Sequence, residues 1–237
     1  MKRFQLLGLM LVAMFAIGVV AASAASAVEF LLADWLTTGG ASVNTAQPAD
    51  QEGELELEDE KVLGLKVKIL CSGILDGTVG SAASNGEDEI TKLLGLSTPH
   101  VDAGEPLVGP GITCTNVANC GGTPRVWAEG LPWKTLAELM VDGAETFFVD
   151  LLLNGMYYSE CTVLGTKVED LCEAAEVSTK LTNEANGTVD IEFSDPFQEL
   201  SGLKLGHCTI GGNESAVVTG LGTMLLTSGA LLDVSSE

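Results

Sequence analysis

Six cysteines are the residues of this sequence whose type and spacing could most directly support chemistry. No two of them form a C-x-x-C pair, and the only two histidines, His100 and His207, are isolated. Zinc sites draw their ligands from closely spaced cysteine and histidine pairs, so this spacing argues against a bound metal. An even number of cysteines instead predicts disulfides, which form in oxidising compartments. The six are Cys71, Cys114, Cys120, Cys161, Cys172 and Cys208.

The cysteine spacing also suggests which residues pair. Only a short stretch containing Gly165 separates Cys161 from Cys172, and a strand that turns there would bring their Cα atoms within bonding range. A second local pair flanks a turn-rich segment, and the last pair follows by elimination. The expected disulfides are Cys161–Cys172, Cys114–Cys120 and Cys71–Cys208.

The motifs of common catalytic sites are missing from the sequence. There is no G-x-S-x-G nucleophile elbow, and no acid–histidine–nucleophile order can be recognised. Neither a P-loop nor a strand-coupled G-x-G-x-x-G is present to bind phosphates. The sequence therefore predicts a protein that is not an enzyme and uses no cofactor.

Carboxylates near aromatic residues are the remaining candidates for a ligand site. Trp127, Glu129 and Trp133 form the one place that combines a carboxylate with aromatic rings, which are the usual platforms for sugars. Packing in a β-sheet core is the competing interpretation of the tryptophans. Calcium binding by the acidic loop Ser84–Glu89 also stays open, although the loop lacks EF-hand spacing.

Charge and composition restrict the possible partners. The 237 residues include 33 acidic and 11 basic side chains, which gives a net charge of −22. Nucleic-acid binding needs clustered lysine and arginine and is not expected. With 46% hydrophobic residues, the chain can form a folded core.

The N-terminus has the pattern of an export signal. Residues 1–27 run from Lys2 and Arg3 through an apolar stretch to small residues of the A-x-A type. We expect cleavage after Ala27, secretion, and no stable membrane insertion of the mature chain. An uncleaved membrane anchor is the alternative, because the apolar stretch could just span a bilayer.

Alternating apolar and polar residues predict β-strands throughout the mature chain. The clearest are Trp133–Val141, Ala144–Leu153 and Met156–Leu164, which we expect to form a meander through Asp142–Gly143 and Asn154–Gly155 turns. Glutamates at 54, 56 and 58 should face lysines at 66 and 68 on a paired strand. Around Asn186–Gly187, a three-residue turn would place Leu181 opposite Ile191 and Thr179 opposite Phe193.

These strands predict a disulfide-bonded, all-β fold, specifically an antiparallel β-sandwich, with two adjacent β subdomains as an alternative arrangement. The expected regions are the signal peptide 1–27, an N-terminal β region 28–97, a Gly/Pro-rich connection with a cysteine pair 98–123, and a C-terminal β-sandwich region 124–237. Gly64–Val67 and Gly202–Leu205 each precede a cysteine-containing strand, a pattern that fits a decayed duplication and equally fits any two strands of a sandwich.

Several stretches resemble a paralogous family of uncharacterised secreted actinobacterial proteins. The stretches are GELELEDEKVLG, LCSGILDGTVG, NGEDEITKLL, LPWKT and ECTVLGTKVEDLC. The resemblance covers most of the mature chain and implies export and a β-rich, disulfide-bonded domain. It implies no activity and assigns no functional residue.

Two functions follow as hypotheses from the sequence. The first is a secreted, non-catalytic β-sandwich protein that acts as an interaction or structural module in the cell envelope or outside the cell. The alternative is a carbohydrate-binding or carbohydrate-active protein that uses Trp127 and Trp133. A cell-surface or glycan partner would fit either hypothesis.

Overall fold

A computed structural model describes residues 29–37, 40–43, 45–80, 87–93, 111–142, 145–193, 206–210 and 212–236. The predicted signal peptide, His100 and residues 84–86 of the acidic loop lie outside these residues. The described chain forms fifteen β-strands: β1 Glu29–Thr37, β2 Ala41–Ser42, β3 Gln47–Val62, β4 Leu65–Val79, β5 Glu87–Leu93, β6 Ile112–Thr113, β7 Thr115–Ala118, β8 Gly121–Glu129, β9 Trp133–Asp142, β10 Glu145–Val163, β11 Thr166–Asn183, β12 Val189–Phe193, β13 Gly206–Cys208, β14 Gly212–Leu226 and β15 Leu232–Ser236. Over the ranges described, no helix has the length and apolar character needed to cross a membrane.

Eight of the strands close an antiparallel barrel. Their order is β9-β5-β4-β3-β14-β12-β11-β10, and β10 pairs back with β9 to complete the ring. The all-β class predicted from the sequence is confirmed, but one closed sheet is present where a sandwich would have two separate sheets. Alternation along a strand specifies an inner and an outer face in both architectures, so it does not distinguish them. The strands predicted for regions 28–97 and 124–237 lie together in this one barrel.

A row of glycines lets neighbouring strands approach closely where the barrel bends. Gly53 on β3 lies opposite Gly73 on β4 and Gly222 on β14. A Cβ atom on Gly53 would lie 2.4 Å from the carbonyl oxygen of Leu221, so no larger residue fits. Glycine within a strand often marks such a tight bend.

The barrel consists of two similar halves. Residues 62–71 and 163–172 are identical at seven of ten positions and form the tips of two long hairpins, β3–β4 and β10–β11. Each hairpin continues into a third and a fourth strand, β5 and β9 in the first half and β12 and β14 in the second. The structure therefore contains an internal repeat. It pairs 62–71 with 163–172, whereas the Gly202–Leu205 segment suspected from the sequence lies outside the described residues.

Apolar side chains fill both ends of the barrel. At one end β1, β2 and β15 cover the opening, and Trp35 and Leu232 are almost fully buried there among inward-facing barrel residues. At the other end the two hairpin tips pack on each other around a second core that includes Val62 and Val163. The cavity described below is lined by residues that pack against each core, Phe193 at the first and Tyr157 at the second.

Two strand registers predicted from the sequence are confirmed. Lys68 lies directly opposite Glu58, and its ammonium group is 2.6 Å from carboxylate oxygens of both Glu56 and Glu58. Burial opposes ionisation of Glu58, but hydrogen bonds from Lys66 and Lys68 outweigh it and lower the Glu58 pKa. The turn at Asn186–Gly187 also places Leu181 opposite Ile191, as expected for a three-residue loop with Gly187 at positive φ.

The turn predicted at Asn154–Gly155 is wrong. β10 continues through these residues, and Asn154 adopts a positive φ of 55° inside the strand. Here β10 changes its neighbour, because Leu153 pairs with β9 and Met156 pairs with β8. Because asparagine tolerates positive φ, it can occupy such an irregularity within a strand as well as a hairpin turn. The Asn-Gly dipeptide alone therefore does not distinguish a turn from a continuing strand.

All six cysteines form disulfides, but the predicted pairing is wrong. The bonds are Cys71–Cys114, Cys120–Cys161 and Cys172–Cys208. In the β10–β11 hairpin Cys172 lies opposite Tyr157, four residues from Cys161 along the strand, which is about 13 Å and too far for a bond. Cys172 instead lies directly opposite Cys208 in the β11–β13 ladder. Because the turn at the hairpin tip is tight, the strand register sets the distance between Cys161 and Cys172. The small number of residues between them does not bring them together.

Candidate functional site

The barrel encloses a cavity of about 120 Å³ at its middle. Most of its wall is apolar and comes from strands of both halves, with Leu55, Ile90, Trp133, Leu152, Val177 and Phe193 as its principal side chains. An engineered cavity of roughly 150 Å³ with a comparable apolar wall stays dry and binds benzene. The size and chemistry of this cavity are therefore those of a site for a small apolar molecule.

Strand alternation and the irregularity at Asn154 position the cavity wall. Leu152 faces the interior on one side of Asn154, and Gly155 and Tyr157 face it on the other. The facing residues on β11, Val177 and Ala174, line the cavity with the same three-residue spacing, so the inward face changes on both strands of the hairpin without a shift of register. A Cβ on Gly155 would lie 2.8 Å from a methyl group of Leu152, so glycine keeps this part of the wall thin.

The three candidate ligand residues from the sequence lie close together but inside the protein. Trp127, Glu129 and Trp133 are 3%, 6% and 8% exposed. The indole of Trp133 donates a hydrogen bond to the main-chain oxygen of Glu129 at 2.6 Å and lines the cavity. Trp127 packs against Gly111, whose missing side chain leaves room for the ring. Neither ring presents an open face on which a sugar could stack.

Gln51, Glu54 and Tyr157 are the polar and ionisable residues of the cavity wall, and the exposed Glu54 accepts a hydrogen bond from Ser72. Burial, together with the nearby Asp59 and Asp170 carboxylates, raises the pKa of Tyr157 well above its ordinary value. The phenol is therefore neutral at physiological pH and can act only as a hydrogen-bonding group. An amide, a carboxylate and a neutral phenol can orient a ligand, but they do not include an activated nucleophile held by a base.

Two buried aspartates lie beside the cavity, each two residues along its strand from a residue of the cavity wall. Asp88 precedes the cavity residue Ile90 by two positions on β5, and Asp150 precedes Leu152 by two positions on β10. Because side chains two residues apart share a face, each carboxylate is about 7 Å along its strand from the cavity wall. Asp88 is 4% exposed and Asp150 is 8% exposed.

Burial is the main cause of the unusual titration of these aspartates. It raises the pKa of Asp150 to about 7, against hydrogen bonds from Thr135 and the Leu136 main chain. Burial and the charge of Asp150 also raise the pKa of Asp88 well above its ordinary value. Asp88 accepts hydrogen bonds from the Trp35 indole at 2.5 Å and from the Gly80 main-chain N–H. The titration of each carboxylate therefore depends on the charge of the other, and both hold their protons to a higher pH than an exposed aspartate does.

Other candidate metal ligands are not assembled into a site in the described residues. The glutamates at 54, 56 and 58 lie along one strand, where Lys66 and Lys68 neutralise Glu56 and Glu58. One close group joins Asp59 to Cys172 and Cys208, but those sulfur atoms already form a disulfide and are not free to bind a metal. His207 lies half-buried on β13 opposite Glu173, far along the chain from His100, which is outside the described residues.

Sequence reasoning missed the role of Asp88 and Asp150, although a signal was present for one of them. Asp150 is the single charged residue in the run Phe147–Leu153, where the apolar residues on both sides predict burial. For Asp88 the sequence indicates an acidic loop, Ser84–Glu89. Its alternation with Ile90 indicates an inward-facing strand position instead, which becomes informative once the barrel is known.

Comparison of the chain with protein-family models, with curated proteins and with solved structures gives no match. The class of the protein therefore rests on its own fold and cavity. It is a disulfide-bonded, eight-stranded antiparallel barrel with an apolar internal cavity above a layer of buried carboxylates.

Proposed function

We propose that this protein is a secreted, non-catalytic binding protein that holds a small apolar molecule inside its barrel. The observation that carries the proposal is the cavity of about 120 Å³ with its apolar wall. Eight-stranded barrels have interiors that side chains can fill completely or that can hold one small ligand. A space left open between two well-packed cores favours the second use.

The extracellular part of the proposal is supported by the three disulfides, which suit an oxidising environment. The absence of catalysis is proposed because Gln51, Glu54 and the neutral Tyr157, the polar and ionisable residues described on the cavity wall, do not form a nucleophile–base pair. In this role the protein would act as a carrier or interaction module of the cell envelope or the surrounding medium.

The proposal is tested by measuring binding of benzene, toluene and cyclohexane to the mature protein by isothermal titration calorimetry. We expect a 1:1 complex with benzene or toluene, with a dissociation constant on the order of 1 mM or below for so few ligand atoms. Wild-type protein that binds none of these molecules would show that the cavity is only a packing defect.

A matched pair of variants identifies the binding place. Ala174 lines the cavity on β11, and its neighbour Glu173 is exposed on the outer side of the same strand. Ala174→Leu fills the cavity and should weaken benzene binding at least tenfold, whereas Glu173→Leu adds the same side chain outside and should leave it unchanged. Equal effects of the two substitutions would place the ligand on the surface and contradict the proposal.

A further inference from the structure

Asp88 and Asp150 form the end of the interior space next to the apolar cavity. They line a small chamber of about 30 Å³, which shares Gln51 and Ile90 with the wall of the larger cavity. Together with the two-residue spacing on β5 and β10, these shared residues place the chamber directly beyond the cavity. We call Asp88 and Asp150 the acidic floor.

The acidic floor has an unmet need for hydrogen-bond donors and positive charge. Oδ1 of Asp150 is buried and has no hydrogen-bond partner. Three further acids, Asp50, Asp76 and Glu89, also line the chamber, and Glu89 forms an ion pair with Lys134. No lysine, arginine or histidine occurs among the described residues that line the chamber. Buried carboxylates without a cationic partner are costly, so a proton or an added cation must offset their charge.

The size of the chamber restricts what can meet this need. A volume of about 30 Å³ exceeds the roughly 10–15 Å³ that one water molecule requires, so one small group fits. A primary ammonium group is of this size and carries three donors and no acceptor. It can therefore donate to Asp150 Oδ1 and to Asp88 while its carbon atoms lie in the apolar cavity.

We infer that the ligand of the barrel is an apolar primary amine, bound with its hydrocarbon part in the cavity and its ammonium group on the acidic floor. This inference rests on the proposed function, because it assumes that the cavity binds a ligand. It adds the chemical class of that ligand. The bound ammonium replaces the proton that the two aspartates hold in the empty barrel.

The experiment compares benzylamine with toluene, its nearly isosteric apolar counterpart without the amine, by calorimetry at pH 8. Wild-type protein should bind benzylamine at least tenfold more tightly than toluene. Asp150→Asn keeps the shape of the side chain and removes its charge, so the preference should disappear while toluene binding persists. Glu145→Gln changes an exposed acid on the same strand and should behave like wild type.

The pH dependence gives a second measurement that needs no variant. Benzylamine carries its charge throughout the range from pH 6 to pH 8, whereas Asp150, with a pKa of about 7, loses its proton there. Benzylamine binding to wild-type protein should therefore tighten several-fold between these pH values, and toluene binding should not change.

The outcomes separate this inference from the proposed function. Toluene binding without any preference for benzylamine would overturn the inference and leave the apolar ligand site intact. Failure of both ligands would overturn both. A calcium-induced rise in wild-type Tm that Asp150→Asn abolishes, without amine preference, would assign the acidic floor to a metal ion and also overturn the inference.

Discussion

The half-barrel of β3, β4, β5 and β9 and the half-barrel of β10, β11, β12 and β14 share their hairpin tips and their disulfide placement. Val62 and Val163 are buried at equivalent positions before the turns, and Leu63 and Leu164 enter the turns at φ values of 50° and 51°. In each half a cysteine seven residues after the turn glycine bonds to a cysteine outside the barrel ring. The outer framework of the two halves is therefore nearly the same.

The inward-facing residues of the two halves differ. Counted back along the strands from the two hairpin tips, Asp150 on β10 corresponds to Ala49 on β3. Ile90 on β5 and Phe193 on β12 both line the cavity. Two residues before Ile90 is Asp88, whereas two residues before Phe193 is the buried Ile191. Each half thus contributes one aspartate where the other half has an apolar residue.

This difference shows where function can arise in a repeated fold. The repeat gives the barrel two halves with the same outer framework. Both halves keep the residues that the hairpin turns and the disulfides require. Neither half alone forms the acidic floor, because its two carboxylates come from non-equivalent positions and meet only in the closed barrel. The third disulfide, Cys120–Cys161, links β10 to the segment between β7 and β8, outside the barrel ring, and has no equivalent between other described cysteines.

The largest effect is expected from removing the equivalent disulfides one at a time. Cys71–Cys114 and Cys172–Cys208 span 43 and 36 residues, so the chain-entropy estimate gives each about 4 kcal/mol of stability. The double alanine variant of either bond should lower the free energy of unfolding by this amount in urea titrations. A difference of more than about 2 kcal/mol between the two variants would mean that the halves are not equivalent in stability.

A smaller, pH-dependent effect is expected at Asp150, which distinguishes the second half. Its folded-state pKa is about 7, above the unfolded value, so between about pH 4 and pH 7 the folded protein holds a proton that the unfolded chain has released. Stability from this group is therefore present at low pH and is lost as the pH rises through that window, by up to about 1.4 kcal/mol per pH unit.

The comparison that isolates this effect uses Asp150→Asn, which is neutral at every pH. Urea unfolding of both proteins from pH 4.5 to pH 8 cancels the contributions of acids that do not interact with Asp150, and the difference reports Asp150 together with its effect on Asp88. The wild type should lose stability relative to the variant as the pH rises, and parallel curves would contradict a raised pKa at Asp150.

The smallest effect is expected at the turns that the halves share. Leu63 and Leu164 are 52% and 77% exposed and adopt the left-handed conformation that asparagine tolerates better. Leu63→Asn and Leu164→Asn each create an Asn-Gly type I′ turn and should raise the free energy of unfolding by about 0.5–1 kcal/mol. Urea midpoints measure both, and a loss of stability at either tip would show that the leucine contributes by packing.

Local sequence signals determined much of the framework. Alternation predicted the strands, the Glu–Lys register and the Asn186–Gly187 turn correctly, because each depends on residues that are near one another along paired strands. The repeat of residues 62–71 at 163–172 was also readable from the sequence, since seven identities align without a gap. Even cysteine number was enough to predict that all six would be bonded.

Only the tertiary structure decided the closure of the sheet, the disulfide partners and the composition of the site. Strand alternation is the same in a sandwich and a barrel, so the choice depended on which distant edges could pair. Cys172 met Cys208 because a strand ladder set their separation, regardless of spacing along the chain. Asp88 and Asp150 lie 62 positions apart in sequence and became a pair when the two halves closed around one interior.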